Sequence, residues 1–98
     1  MIGGGPGAFI GAVHRMAASL DGQFQLVSGA FSRDAAKSRE MAAELGLDPE
    51  RCYGSWAECI ATESSMPTDM RVAVVVIVTP NDSHVAIALD AIRAGFHV

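Results

Sequence analysis

Ninety-eight residues, half of them hydrophobic and 18% charged, describe at most one small packed domain and exclude a disordered chain. The formal net charge is −4, with seven Lys and Arg scattered along the chain, so the basic face of a nucleic-acid binder is missing. The longest apolar run, Val72 to Val78, falls far short of the roughly 20 residues of a membrane-spanning helix. The N-terminus shows no secretory leader, so Cys52 and Cys59 are expected to be free thiols in the cytoplasm. Two Cys and three dispersed His suggest no metal site.

The chain opens with Met1-Ile2 and passes directly into Gly3-Gly4-Gly5-Pro6-Gly7, as if a first strand were clipped on its N-terminal side. From Ala8 to Leu20, Phe9, Val13, Met16, Ala17 and Leu20 recur at helical spacing and predict a helix with that face inward. Asp21-Gly22 ends it, and Phe24 to Phe31 reads as a second strand. A second helix is expected from about Asp34 to Leu45, with Asp34 as N-cap and Gly46 just past its end. A very short strand around Cys52-Tyr53 follows, then a third helix from Ser55 to about Glu63 with Trp56, Cys59 and Ile60 on one face.

Val72 to Val78 is apolar and mostly β-branched without alternation, the pattern of a parallel strand covered on both faces. Thr79-Pro80-Asn81-Asp82 punctuates it. A fourth helix then places Val85, Leu89, Ile92 and Phe96 on one apolar stripe, Gly95 closes it, and His97-Val98 begins another strand. Met16, Met41, Trp56 and Phe96 are expected to pack in the core. The alternation predicts an α/β fold: a Rossmann-type doubly wound parallel sheet in three αβα layers, truncated at both ends and forming one partial domain over residues 1–98.

Chemistry is expected where loops leave the carboxyl ends of strands. A dinucleotide site needs glycines where the backbone approaches a pyrophosphate, with a helix N-terminus aimed at that anion. Gly3, Gly5, Gly7 and Gly11 supply such a run, although Gly5-Pro6-Gly7-Ala8-Phe9-Ile10-Gly11 carries one residue more than the G-x-G-x-x-G spacing. A flexible turn is the competing reading. The acidic residue expected about 20 positions on, to hold a ribose 2′-hydroxyl, is missing. Ser32-Arg33 stands at that strand end, and an arginine there suits a 2′-phosphate; the alternative is a solvated loop ahead of an Asp34 cap. Thr79, Pro80 and Asn81 would face the glycine loop, and His84 would lie in the following first helical turn, as a surface or cap residue or as a catalyst.

Gly3-Gly4-Gly5 leading to Gly11-Ala12-Val13-His14, Val76-Ile77-Val78-Thr79-Pro80-Asn81-Asp82-Ser83-His84, and Ala94-Gly95-Phe96-His97-Val98 together resemble the Gfo/Idh/MocA oxidoreductases over essentially the whole chain. The resemblance implies an N-terminal domain binding NADP or NAD, with contacts at Gly3, Gly5, Gly11, Ser32, Arg33, Thr79, Pro80, Asn81 and His84. In that family a C-terminal α/β domain supplies much of the substrate site and the oligomer interface. A polyol, cyclitol or sugar substrate and a homo-oligomeric parent are therefore expected. The glycine loop is longer than the usual family turn. The family's Glu-Lys-Pro or Asp-Lys-Pro motif, with the catalytic lysine, would come a few residues beyond Val98, and Lys37 on the second helix does not replace it. The expectation is a dehydrogenase whose piece over residues 1–98 is inactive alone, with NADP somewhat favoured over NAD; the alternative is a nucleotide-sensing module without catalysis.

Overall fold

A computed structural model describes residues 1–98. Strand β1 (Ile2–Gly3) pairs in parallel with β2 (Ile77–Val78), Ile2 beside Ile77 and Gly3 beside Val78. Single parallel bridges extend this ladder, joining Ile2 to Ala30, Gly29 to Cys52, and Val74 to His97. The backbone thus runs as five parallel lines in the order Cys52, Gly29–Ala30, β1, β2, His97. The chain builds outward from β1 on one side and then returns to continue on the other. That reversal makes the β1–β2 junction the topological switch point, where α/β sheets bind ligands.

Helices α1 (Phe9–Ser19), α2 (Ala35–Glu44), α3 (Trp56–Ser64) and α4 (His84–Arg93) fill the connections. Asp34 caps α2 by accepting from the N–H groups of Ala36 and Lys37, and Ser55 caps α3 by accepting from Glu58 N–H. Gly46 ends α2 at φ +66°, a left-handed turn that glycine adopts without strain. Short 3₁₀ turns at Pro49–Arg51 and Asn81–Ser83 complete the elements. No helix is long and apolar enough to cross a membrane.

Successive strand residues point to opposite faces, and the core divides accordingly. On one face Ile2 and Val75 pack with Ile60 of α3, Ile87 and Ala91 of α4, and Phe96. On the other, Met1 and Phe31 pack with Met41 and Ala42 of α2, backed by Val76 and Val78. Helix α1 lies on this second side, where the Arg15 guanidinium reaches the Met1 sulfur. The result is three layers, α1 and α2, the sheet, then α3 and α4, as the strand–helix alternation predicts.

Several expectations need correction. The second strand is paired only from Ser28 to Ala30, through Met1 N to Ser28 O, Gly29 N–H to Arg51 O, Tyr53 N–H to Gly29 O, Ala30 N–H to Met1 O and Gly3 N–H to Ala30 O. Phe24 to Val27 make no backbone hydrogen bond of a ladder, and Phe24 is 58% exposed. The Val72–Val78 run is covered unevenly: Val75 is buried, whereas Val74 is half-open in a groove beside α1 lined also by Phe24, Leu26 and Val76. The stripe Phe9, Val13, Met16 and Leu20 is exposed, and only Gly11 of α1 is buried. Val85, Leu89 and Ile92 are exposed as well. Helix α4 instead buries Ile87 and Ala91, four residues apart, and Phe96 joins them after the chain has turned. An apolar stripe marks a face that avoids water; it does not identify which packing partner that face meets.

One polar cluster is centred on a fully buried carboxylate. The Glu63 side chain is 0% exposed. It accepts from Arg51 Nε and Nη2 at 3.0 and 2.6 Å, from Tyr53 Oη at 3.1 Å and from Val72 N–H at 3.2 Å. Burial pushes this carboxyl toward the protonated form; the Arg51 and Val72 hydrogen bonds and the Arg51 charge prevail and hold it below its ordinary range. Burial, reinforced by the Glu63 charge, pushes the Tyr53 hydroxyl up. Buried Ser38 Oγ accepts from Phe31 N–H and donates to Tyr53 O, fastening α2 to two lines of the sheet. Both cysteines are free, and burial raises the Cys59 thiol.

Candidate functional site

The chain leaves β1 through the glycine turn and β2 through Thr79–Pro80, side by side at the switch point. Their approach is too close for a side chain: a Cβ on Gly3 would stand 2.9 Å from Thr79 N and from the Val78 carbonyl. A Cβ on Gly5 would stand 2.8 Å from Phe31 O, and one on Gly11 would stand 2.6 Å from Gly4 Cα. Glycine at 11 thus lets the first turn of α1 rest directly on the loop.

These turns border an open crevice of about 560 Å³. Gly3, Gly4, Gly5, Pro6 and Ala8 form one wall, and Thr79, Pro80 and Ser83 another. Ser32, Arg33 and Lys37 flank one end, Gly54, Ser55 and Trp56 line the α3 side, and Ile2, Ala30, Phe31, Val78 and Ile87 supply the apolar floor. Arg33 and Lys37 are its only charged lining residues, and neither is paired with a carboxylate. In a chain of net charge −4, this crevice carries two free cations and no anion.

Backbone donors add to that polarity. Helix α1 starts after Ala8 with no side-chain cap, and the N–H groups of Phe9, Ile10 and Gly11 have no acceptor within the protein. The Gly5 N–H is also unpartnered. Unsatisfied N–H groups at a helix start, with the positive end of its dipole, favour an anion such as a phosphate.

Of the residues picked from sequence, Gly3, Gly5, Ser32, Arg33, Thr79 and Pro80 line the crevice. Gly7, Gly11, Asn81 and His84 are not among its lining residues. His84 Nε2 donates to the Thr79 carbonyl at 2.7 Å, and Ser83 Oγ donates to Thr79 Oγ1 at 2.7 Å, so both brace the Thr79–Pro80 turn. Sequence reasoning passed over Lys37, Gly54, Ser55 and Trp56. Lys37 carried a signal: it lies three residues beyond the Asp34 cap, one helical turn from Ser32-Arg33. Trp56, expected in the core, does contact the α3–α4 core while also lining the crevice.

The family model described as an oxidoreductase family with an NAD-binding Rossmann fold (GFO_IDH_MocA) matches residues 1–98. The chain belongs to this Gfo/Idh/MocA family. It is 39% identical over 99 residues to the uncharacterized oxidoreductase YfiI of Bacillus subtilis (strain 168), covering 100% of this chain and 25% of that protein. An inositol dehydrogenase homologue from Azotobacter vinelandii, solved in complex with NAD+, superposes with a TM-score of 0.94 at 42% identity, over 100% of this chain and 25% of its own. The same values hold for its crystal structure with NADH and myo-inositol. An oxidoreductase from Sinorhizobium meliloti matches with a TM-score of 0.92 at 45% identity, over all of this chain and 26% of its own. The chain therefore spans about a quarter of the length of these relatives. The Rossmann fold read from the sequence is the NAD-binding Rossmann fold of the family.

Proposed function

We propose that residues 1–98 are the cofactor-binding part of a dehydrogenase that moves a hydride between a polyol, cyclitol or sugar and a nicotinamide dinucleotide, with NADP favoured over NAD. The observation that carries this reading is the crevice at the switch point, with glycines where side chains would collide and two unpaired cations at one end. The residues suit a dinucleotide. The glycine turn and the first turn of α1 would hold the pyrophosphate, Ser32, Arg33 and Lys37 the adenosine ribose and its 2′-phosphate, and Thr79–Pro80 the opposite wall. The bound nicotinamide supplies the hydride chemistry, and this chain's part is to bind and orient it. The complex of the Azotobacter homologue with NADH and myo-inositol supports a cyclitol or related polyol as the substrate class. Substrate positioning is assigned to a further domain of a longer, homo-oligomeric parent, and the catalytic lysine to the family's Lys-Pro motif a few residues beyond Val98. The two free thiols suit a reducing, cytoplasmic setting.

Trp56, the single tryptophan, lines the crevice and serves as the reporter, because reduced nicotinamide absorbs where tryptophan emits. Arg33 is exposed, so its contact with a 2′-phosphate is set at the lower end of the about 1.5–3 kcal/mol of a charged hydrogen bond, or roughly tenfold in affinity. Titration of the chain with NADPH and NADH should show that margin in favour of NADPH, and Arg33→Ala should erase most of it. Equal affinities in the unsubstituted chain refute the preference, and no quenching by either cofactor refutes the site.

A further inference from the structure

Arg15 points inward from α1, behind the glycine turn. Its Nη1 donates to Gly4 O at 3.3 Å and lies 3.6 Å from the Met1 sulfur. The side chain is half-buried, and no carboxylate pairs with it. A Cβ on Gly4 or on Gly11 would approach the same nitrogen, at 3.3 and 3.2 Å respectively, so the guanidinium sits where the turn and the helix touch. Within a trans peptide the carbonyl of one residue and the N–H of the next point in opposite directions. By holding the Gly4 carbonyl toward α1, Arg15 turns the Gly5 N–H away from the helix. That N–H has no acceptor in the protein, and Gly4 and Gly5 both line the crevice.

We infer that Arg15 is a positioning residue for the pyrophosphate-binding backbone. It fixes the Gly4–Gly5 peptide with the Gly5 N–H toward the crevice, and it places an unneutralised positive charge behind the loop. The lone charge distinguishes this from simple packing, since an apolar side chain of equal length would fill the same space. This inference rests on the dinucleotide reading of the crevice. It adds that a ligand's affinity depends on Arg15 only if that ligand carries a pyrophosphate.

The test uses calorimetric titration of the full chain with NADPH and with adenosine 2′-phosphate, which has no pyrophosphate. Arg15→Met keeps the stem and removes the donors and the charge; Arg15→Lys keeps a donor and the charge. Arg15→Met should weaken NADPH binding by about tenfold, the scale of one charge-assisted contact, and leave adenosine 2′-phosphate within about twofold, below the scale of any lost contact. Arg15→Lys should recover most of the NADPH affinity, and thermal melting checks that each variant is folded. Equal loss for both ligands, or no loss for either, overturns the role given to Arg15 while the crevice reading stands. Failure of the unsubstituted chain to bind NADPH and NADH alike overturns the crevice reading and this inference with it; if it binds NADH alone, the same comparison of Arg15→Met is read with NADH.

Discussion

Gly11→Ala adds one methyl group and should harm both folding and binding. The new Cβ would stand 2.6 Å from Gly4 Cα, and the atom it meets is backbone, which has no rotamer to change. Restoring an ordinary carbon–carbon contact requires α1 to retreat by about 1 Å. Overpacking of this kind costs about 1–3 kcal/mol, a large share of the stability of a domain this small. The same retreat draws the free N–H groups of Phe9, Ile10 and Gly11 away from the crevice, so dinucleotide affinity should fall by about tenfold or more. Gly54→Ala is the control for stability, because a Cβ there meets Glu58 Oε2 at 3.5 Å and Ala35 Cβ at 4.0 Å, both ordinary contacts. Urea unfolding measures the first effect, and NADPH titration through Trp56 fluorescence the second. If Gly11→Ala unfolds at the same urea midpoint as the unsubstituted chain and binds NADPH equally well, the close packing of α1 on the glycine turn is wrong.

Glu63→Ala should cost about 3 kcal/mol, because breaking a buried ion pair leaves its partners desolvated and unpaired; a urea midpoint within error of the unsubstituted chain rejects the network's importance. The lowered Glu63 carboxyl stabilises the fold above the ordinary carboxylate range and ceases to do so as pH falls through its folded value. Melting temperature should therefore drop on acidification, and Glu63→Gln should flatten that limb. At the alkaline end, the raised Cys59 and Tyr53 groups ionise first in the unfolded chain, so stability should decline as pH passes their ordinary values. The chain alone should give no steady turnover of nicotinamide absorbance with a panel of polyols and sugars. Turnover above a buffer control would show that the catalytic groups lie within these residues and would exclude a purely nucleotide-sensing module.

Local chemistry made much of the fold legible. Asp34, Gly46 and Gly95 announce helix ends because their side chains, or lack of one, complete backbone hydrogen bonds within a few residues. The β-branched run before Thr79 announces a strand because branched side chains suit a pleated surface, although only Val75 within it is buried. Tertiary choices were harder to read. Val85, Leu89 and Ile92 are more hydrophobic than Ala91, yet α4 turns Ala91 and Ile87 to the sheet, because a small residue permits close approach and Ile87 packs in one cluster with Ile2 and Ile60. The Phe24–Phe31 run has strand composition, but hydrogen-bond ladders depend on what lies opposite. Glu63 left a trace in its spacing: it falls three and four residues after Ile60 and Cys59, on the buried stripe of α3. Arg15 left none, since an arginine inside an amphipathic helix reads as solvated until its reach toward Gly4 is seen.

Ser32 also holds its own turn: its Oγ accepts from Asp34 N–H at 3.1 Å. Aspartate and asparagine make that same bond to the backbone two residues on. The neighbouring anchors, Phe31 N–H on Ser38 and the Asp34 cap of α2, do not involve the residue at 32. A mutation from serine to aspartate there preserves the turn while reversing its appeal to a phosphate. Under the dinucleotide reading proposed for the crevice, the charge presented at position 32 is thereby separable from the folding of the turn that carries it.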